Sequence, residues 1–270
     1  MLKFERFKEG VAEKPFSAII DDIVTGMVIE DSLNTEECEM FIKVIQAIKP
    51  YFFHDLNSGN GYSLPGMFGQ LHKTQPEYLV HSYFMQIEDF CKAASSAANI
   101  NIVMWLHEKI SRYFTPYKCA PLPGFLPFSF RVVFPKHGGL FIHQDGQLLP
   151  FIHDEVSKKI HQYILSETMM SWYFTLQNPE SGGELWVADS RYFSYSKDGQ
   201  FDMKSPEGNK MKAEDMDHIK VNTPTGSLLM FKGGSYWHKV IPPADNACDR
   251  ITLGGFMAQG LDKQTIYYWS

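Results

Sequence analysis

The chain has 270 residues, 44% hydrophobic and 21% charged, with a formal net charge of −6 at pH 7. That composition suits a globular protein with a large buried core, and it lacks the basic face that binding nucleic acid requires. No apolar run is long enough to span a bilayer, and the start Met1-Leu2-Lys3-Phe4-Glu5-Arg6 has no secretory apolar core. Cys38, Cys91, Cys119 and Cys248 show no C-x-x-C spacing and read as reduced thiols of a cytoplasmic protein.

In chain order, Met27 to Asp31 reads as a short strand leading into a helix. Asn34 is a good N-cap, and Glu37 three residues on completes a capping box. Cys38, Phe41, Val44, Ile45 and Ile48 follow at helical spacing, and Pro50 is expected to end the run. A second helix is expected over Gln75 to Ala97, with Leu79, Tyr83, Ile87, Phe90 and Cys91 on its apolar face. A third covers Ile102 to Phe114. The stretches Asn57 to Gly69 and Pro116 to Pro127 read as loops.

From Phe128 the periodicity becomes strand-like. Strands are expected over Ser129–Phe134, Leu140–His143, Met170–Leu176, Glu184–Val187, Ser227–Phe231 and Arg250–Met257, as in a double-sheet antiparallel barrel. Leu148 to Thr168 has room for a helix. Arg191 to Asn222 is a long polar insert, read first as a solvated excursion and second as a lid. The expected fold is mainly β with a helical N-terminal part (α+β): a double-stranded β-helix, jelly-roll or cupin-like core flanked by helices. It is expected as a single domain over 1–270, with a helical support region 1–127 and a jelly-roll core 128–270 carrying the insert 191–222.

The chemistry concentrates in His143-Gln144-Asp145, with His238 and Arg250-Ile251-Thr252 following at a distance. Two imidazoles and one carboxylate are the set that holds non-heme Fe(II) on one face and leaves the other open. On a strand, His143 and Asp145 would point to the same side and reach one metal. A lone H-x-D arises easily by chance among ten histidines. Here, however, Gly138-Gly139, Gly182-Gly183 and Gly233-Gly234 place turns where strands would deliver the ligands. Arg250 suits a bidentate carboxylate and Thr252 adds a hydroxyl, as a dicarboxylate such as 2-oxoglutarate would need. The set reads as an Fe(II)- and 2-oxoglutarate-dependent oxygenase that also uses O2.

Arg131 lies in the apolar run Phe128 to Phe134, where a guanidinium implies an anionic partner. That partner is 2-oxoglutarate, substrate or a structural carboxylate. His137, His153 and His161 read as surface or packing histidines, and Tyr236 and Trp237 as packing beside His238. Glu184 fits a strand start better than a ligand position.

Ser181-Gly182-Gly183-Glu184-Leu185, the run Met230 to His238, and the ending Leu253 to Ala258 with Tyr267-Tyr268-Trp269-Ser270 carry a resemblance. The chain resembles the carrier-independent halogenases of hapalindole-type (welwitindolinone) alkaloid biosynthesis and, more distantly, the hydroxylases of N-substituted amino acids. The resemblance is dense from about Phe128 onward and weak before it. It implies an arginine binding role at Arg131, leaning toward the ligand. It also implies one departure, because those halogenases have glycine where this chain has Asp145. A carboxylate there takes the site a halide would use, so hydroxylation of a small molecule is expected in place of halogenation. Two other readings stand beside it: a cupin-like metal-binding protein without turnover, and an oxygenase acting on a protein side chain. The clamp at Arg250 argues against the first, and the absence of a basic or aromatic peptide track argues against the second.

Overall fold

The computed structural model describes residues 2–10, 15–56, 59–66, 71, 76–136, 142–147, 149, 152–188, 193–195, 201–203 and 216–270. The helices are α1 (Pro15–Ile20), α2 (Thr35–Phe52), α3 (Glu77–Ala98), α4 (Ile102–Ser111) and α5 (Asp154–His161). The early strands are β1 (Phe4–Lys8), β2 (Gly26–Glu30), β3 (His54–Asp55), β4 (Gly61–Leu64) and β5 (Lys118–Pro121). The later ones are β6 (Ser129–Val133), β7 (Met170–Gln177), β8 (Leu185–Ala188), β9 (Phe193–Tyr195), β10 (Phe201–Met203), β11 (His218–Val221), β12 (Leu228–Phe231), β13 (Trp237–Val240), β14 (Arg250–Gln259) and β15 (Thr265–Trp269).

A large sheet runs β1-β2-β12-β7-β14-β6-β4-β3, with β15 paired to β14 and to β5. A second sheet of order β11-β8-β13 faces it, and β9 and β10 form a separate hairpin. Val28, Leu185, Val187, Val221, Leu229 and Phe231 join the two sheets in one apolar cluster. The architecture is mostly β with a few helices, consistent with a jelly roll.

Strand alternation decides what each face of the large sheet carries. On β6 and the residue before it, Phe128 and Phe130 turn toward the helices, where Phe90 meets them at 5.4 and 6.3 Å between ring centroids. Ser129 and Arg131, one residue out of phase, line the cavity on the other side. The helices therefore cover the outer face, and the polar inner face is left for chemistry.

Helix α2 begins as its cap demands. The Glu37 amide donates to Asn34 Oδ1 at 2.8 Å, and the Asn34 amide donates to Glu37 Oε2 at 3.0 Å. Cys38, Phe41, Val44, Ile45 and Ile48 are buried along one stripe. The helix runs through Pro50 to Phe52 instead of stopping there. Proline in a last turn removes only the bond to the Gln46 carbonyl, and Gln46 is exposed, so water can take that acceptor.

Other expectations need correction. Helix α3 buries Val80, Tyr83, Phe90 and Ala94, while Leu79 is exposed and Ile87 and Cys91 are half-buried. Its packing stripe is therefore turned from the expected one. Helix α4 ends at Ser111, short of Phe114. The supposed loop 57–69 contains β4, and the supposed loop 116–127 contains β5. Both are ordered by distant partners, β6 and β15, that no local pattern announces. Among the described residues, the first 127 positions thus supply five strands as well as helices. The insert 191–222 ends in β11, a working strand of the smaller sheet, and the hairpin β9–β10 lies within it. The rest of the insert, and with it the lid reading, lies outside the described residues, as do His137 and the start of the expected strand 140–143.

Candidate metal centre and co-substrate cavity

The H-x-D motif does not sit on a continuous strand. His143 forms an isolated antiparallel bridge to His238, their amides donating to each other's carbonyls at 2.9 and 2.8 Å. Asp145 opens a short 3-10 turn over Asp145–Gln147, with its amide donating to the Gly233 carbonyl at 2.9 Å. Residues directly opposite each other in an antiparallel pair project to the same face, and the two imidazole rings stand 4.3 Å apart between centroids. The turn, not strand alternation, swings Asp145 onto the same spot.

The result is a three-donor cluster. One ligand atom from each of His143, Asp145 and His238 lies within 4.8 Å of the others. His143 Nε2 is 3.5 Å from Asp145 Oδ1, and His238 Nε2 is 3.5 Å from Asp145 Oδ2. His238 Nδ1 lies 2.9 Å from the Tyr236 carbonyl, an acceptor that calls for a proton on Nδ1 and leaves Nε2 as a ligand. Burial pushes His238 down to about 4, against the pull of Asp145, so the ring is a neutral donor at ordinary pH. Burial would raise Asp145, but His238, His143 and the Ser171 hydroxyl outweigh it and hold the carboxyl well below its usual range. A neutral imidazole at His238 and an ionised carboxylate at Asp145 suit a divalent iron.

Ser171, on β7, donates its hydroxyl to Asp145 Oδ2. Gly233 makes that contact possible, because a Cβ there would drive into both Ser171 Oγ and Asp145 Oδ2. The sequence shows Gly233 only as part of a turn, and Ser171 is not among its candidates. The signal lay in the alternation Ser171, Tyr173, Thr175, a polar stripe on one side of an otherwise apolar strand.

Beside the cluster, three neighbouring strands turn polar side chains inward. Thr252 of β14 lies opposite Arg131 of β6 and Thr175 of β7, and Gly254 lies opposite Ser129 and Tyr173. Arg131, Arg250, Thr252 and Tyr173 line one cavity with His143, Asp145 and His238, and Leu185, Phe231, Val240 and Phe256 supply apolar wall. Arg250 is 1% exposed, yet its Nε and Nη2 find no hydrogen-bond partner among the described residues. A buried guanidinium with orphaned donors is out of balance without an anion. A carboxylate ligand such as that of 2-oxoglutarate fits it. Burial lowers Arg131, Asp145 opposes that shift and Arg250 adds to it, so the two cations and the carboxylate share one electrostatic environment.

The remaining candidates stay outside the cluster. His153 precedes α5 and His161 lies at its end, bonded to the Ser157 carbonyl at 2.7 Å. Trp237 is buried and Tyr236 half-buried, and Glu184 is half-buried where the chain enters β8. The four cysteines are unpaired. No described helix is long and apolar enough to cross a membrane.

Among solved structures, an N-substituted L-amino acid dioxygenase from Burkholderia ambifaria AMMD matches with a TM-score of 0.57 at 16% identity, covering 93% of this chain and 89% of that one. A second structure of such a dioxygenase from the same organism, in complex with alpha-KG, matches with a TM-score of 0.54 at 14% identity, covering 94% and 90%. At that identity the likeness is one of fold. No curated protein sequence matches the chain. The sequence profile of the carrier-protein-independent halogenase WelO5 family matches residues 10–270. By that match the chain belongs to the WelO5 family, and it is an oxidoreductase of the 2-oxoglutarate-dependent oxygenase class.

Proposed function

We propose that this protein is an Fe(II)- and 2-oxoglutarate-dependent dioxygenase that hydroxylates an unactivated aliphatic carbon of a free small molecule. The substrate class is an amino acid derivative or a natural-product intermediate. In this reading His143, Asp145 and His238 hold the iron, while Arg250 and Thr252 take the distal carboxylate of 2-oxoglutarate, with Arg131 as a further anion contact. Iron with 2-oxoglutarate and O2 supplies oxidative decarboxylation to succinate and CO2 and the oxidant for an aliphatic C–H bond.

The residues' own work is separable from that chemistry. The Tyr236 carbonyl orients His238, and the Ser171 hydroxyl orients Asp145. Phe231 and Phe256, with Leu185 and Val240, keep the wall apolar and limit water. The observation that carries hydroxylation is Asp145, 3.5 Å from both imidazole Nε2 atoms. The halogenases it resembles have glycine at that place, and a carboxylate removes both the room and the positive field a halide needs. The name of the Burkholderia ambifaria neighbour adds that this fold serves N-substituted amino acid substrates. The same reading treats 1–270 as one oxygenase domain.

The test is a substrate library scored by succinate release, followed by product mass with chloride present. Gain of one oxygen is the expected result. A chlorinated product from the wild-type protein would overturn the assignment.

A further inference from the structure

A row of residues leads from the outermost strand of the large sheet to the metal corner. Phe4 of β1 lies opposite Gly26 of β2, Gly26 lies opposite Phe231 of β12, and Phe231 lies opposite Ser171 of β7. Register partners project to the same face of a sheet, so these four positions form one line across four strands. The line ends on two of the metal donors. Ser171 donates to Asp145 Oδ2, and the Phe231 ring stands 4.9 Å from the His238 ring between centroids, with the planes at 88°.

Glycine at position 26 joins the first member to the rest. A Cβ there would run into Phe4 Cε1 and Phe231 Cβ. Glycine weakens a strand interior, and it is found there where another group must approach closely. The bare backbone of β2 lets the Phe4 ring reach over it to the Phe231 ring, 6.4 Å away between centroids. Leu2 and Phe4 pack against the apolar cluster between the sheets, which includes Phe231. Phe7, on the other face of β1, packs against the main core instead.

The His238 ring needs such a backing. The bond between Nδ1 and the Tyr236 carbonyl fixes one point of it. The last torsion of a histidine is soft, so the plane of the ring, and with it the direction of Nε2, is set by what the ring packs against. His143 stands on one side as a fellow donor, 4.3 Å away between centroids, and Phe231 is the backing that is not a ligand. β1 lies ahead of residue 10, where the family match begins, so membership of the family says nothing about it.

We propose that Phe4 is a positioning residue of the metal centre: through Phe231 it fixes the ring plane of His238, and so the strength with which the three donors hold a divalent cation. This inference rests on the metal reading given above. The edge strand β1 thus acts as a brace for a site four strands away.

The experiment is calorimetric titration of the metal-free protein with Co(II), together with the visible d–d spectrum of the Co(II) form, for wild type, Phe4→Ala and Phe7→Ala. The two variants remove the same ring from the same strand, one on the cavity side and one on the other. Phe4→Ala should weaken Co(II) roughly fivefold, less than the tenfold felt when a group bonded directly to a ligand is lost, and should shift the d–d bands. Phe7→Ala should stay within about twofold of wild type, with its bands unshifted. Phe4→Leu keeps the strand packed but lacks the reach of the ring, so it gives the same comparison if alanine loosens the fold, and it should show the same band shift. Wild-type affinity and bands in Phe4→Leu and Phe4→Ala overturn the inference and leave the metal reading standing. Equal weakening in Phe7→Ala also overturns it, since that is the mark of strand docking as such. A wild-type protein that binds Co(II) no better than His238→Ala does overturns the metal reading, and the role of Phe4 with it.

Discussion

The two walls of the cavity are built by different means. The wall of Arg131, Tyr173, Arg250 and Thr252 belongs to three strands in antiparallel ladder, β6, β14 and β7, with one register shift between Ile251 and Thr252 on the β7 side, and alternation along the strands sends these side chains inward. Among the described residues, the wall of His143 and Asp145 has no ladder. It rests on one isolated bridge to His238, a 3-10 turn, and a glycine that lets Ser171 reach Asp145. A ladder spreads the positioning of a residue over many hydrogen bonds, whereas a bridge and a turn concentrate it in a few contacts. The metal corner should therefore be the more fragile of the two.

The largest expected effect is removal of a donor from that corner. His143→Ala, Asp145→Ala and His238→Ala should each abolish iron-dependent turnover and iron retention, with the circular dichroism spectrum unchanged. Near-normal iron content in any one of them would strike that residue from the ligand set.

On the laddered wall, Arg250→Ala should raise the concentration of 2-oxoglutarate needed for half-saturation and leave iron binding alone. A charge-assisted contact of this kind is worth about 1.5–3 kcal/mol, on the order of tenfold to a hundredfold in affinity. An unchanged titration would move the clamp to Arg131.

Gly233→Ala tests whether the metal corner is as tightly made as it looks. The added methyl would displace the Ser171 hydroxyl and the Asp145 carboxylate, and iron affinity should fall roughly tenfold, the scale at which a group supporting a metal ligand is felt. Equal iron affinity in the variant would show that the corner has slack, and the contrast between the walls would dissolve.

A site remote from both walls sets the smallest effect. Glu37 joins α2 to α4 through Lys109 Nζ at 2.8 Å and Trp105 Nε1 at 3.2 Å, and it also caps Asn34. Burial pushes its carboxyl up, but Lys109, the Asn34 amide and Trp105 outweigh that and hold it below its ordinary 4.5. A depressed folded value means the stabilisation is present above 4.5 and is lost as pH falls through the folded value. Glu37→Gln should cost about 1 kcal/mol at neutral pH. Denaturant unfolding at a series of pH values should show that difference shrinking toward acid, while turnover at neutral pH stays near wild type. A difference that grew toward acid would contradict the clamp.

Much of this molecule was legible because it is written locally. The capping box of Asn34 and Glu37, the stripe from Cys38 to Ile48, and the alternation of Phe128, Ser129, Phe130 and Arg131 each refer to neighbours within a turn or two. Such patterns depend only on the period of the element that bears them. The pairing of His143 and Asp145 with a distant His238 was legible in residue type, since few other chemistries need two imidazoles and a carboxylate with an arginine to follow.

What the chain did not reveal depends on partners far away in sequence. The strands β4, β5 and β11 lie in stretches that read as loops or polar excursion, and they become strands because β6, β15 and β8 offer free edges. The turn at Asp145, the seat of Ser171 beside it, and the orphaned donors of Arg250 exist only after the sheets have closed. Local propensity chooses an element, but a buried site is made of side chains that meet across the core. Only the tertiary structure sets which donors meet there and which are left waiting for a ligand.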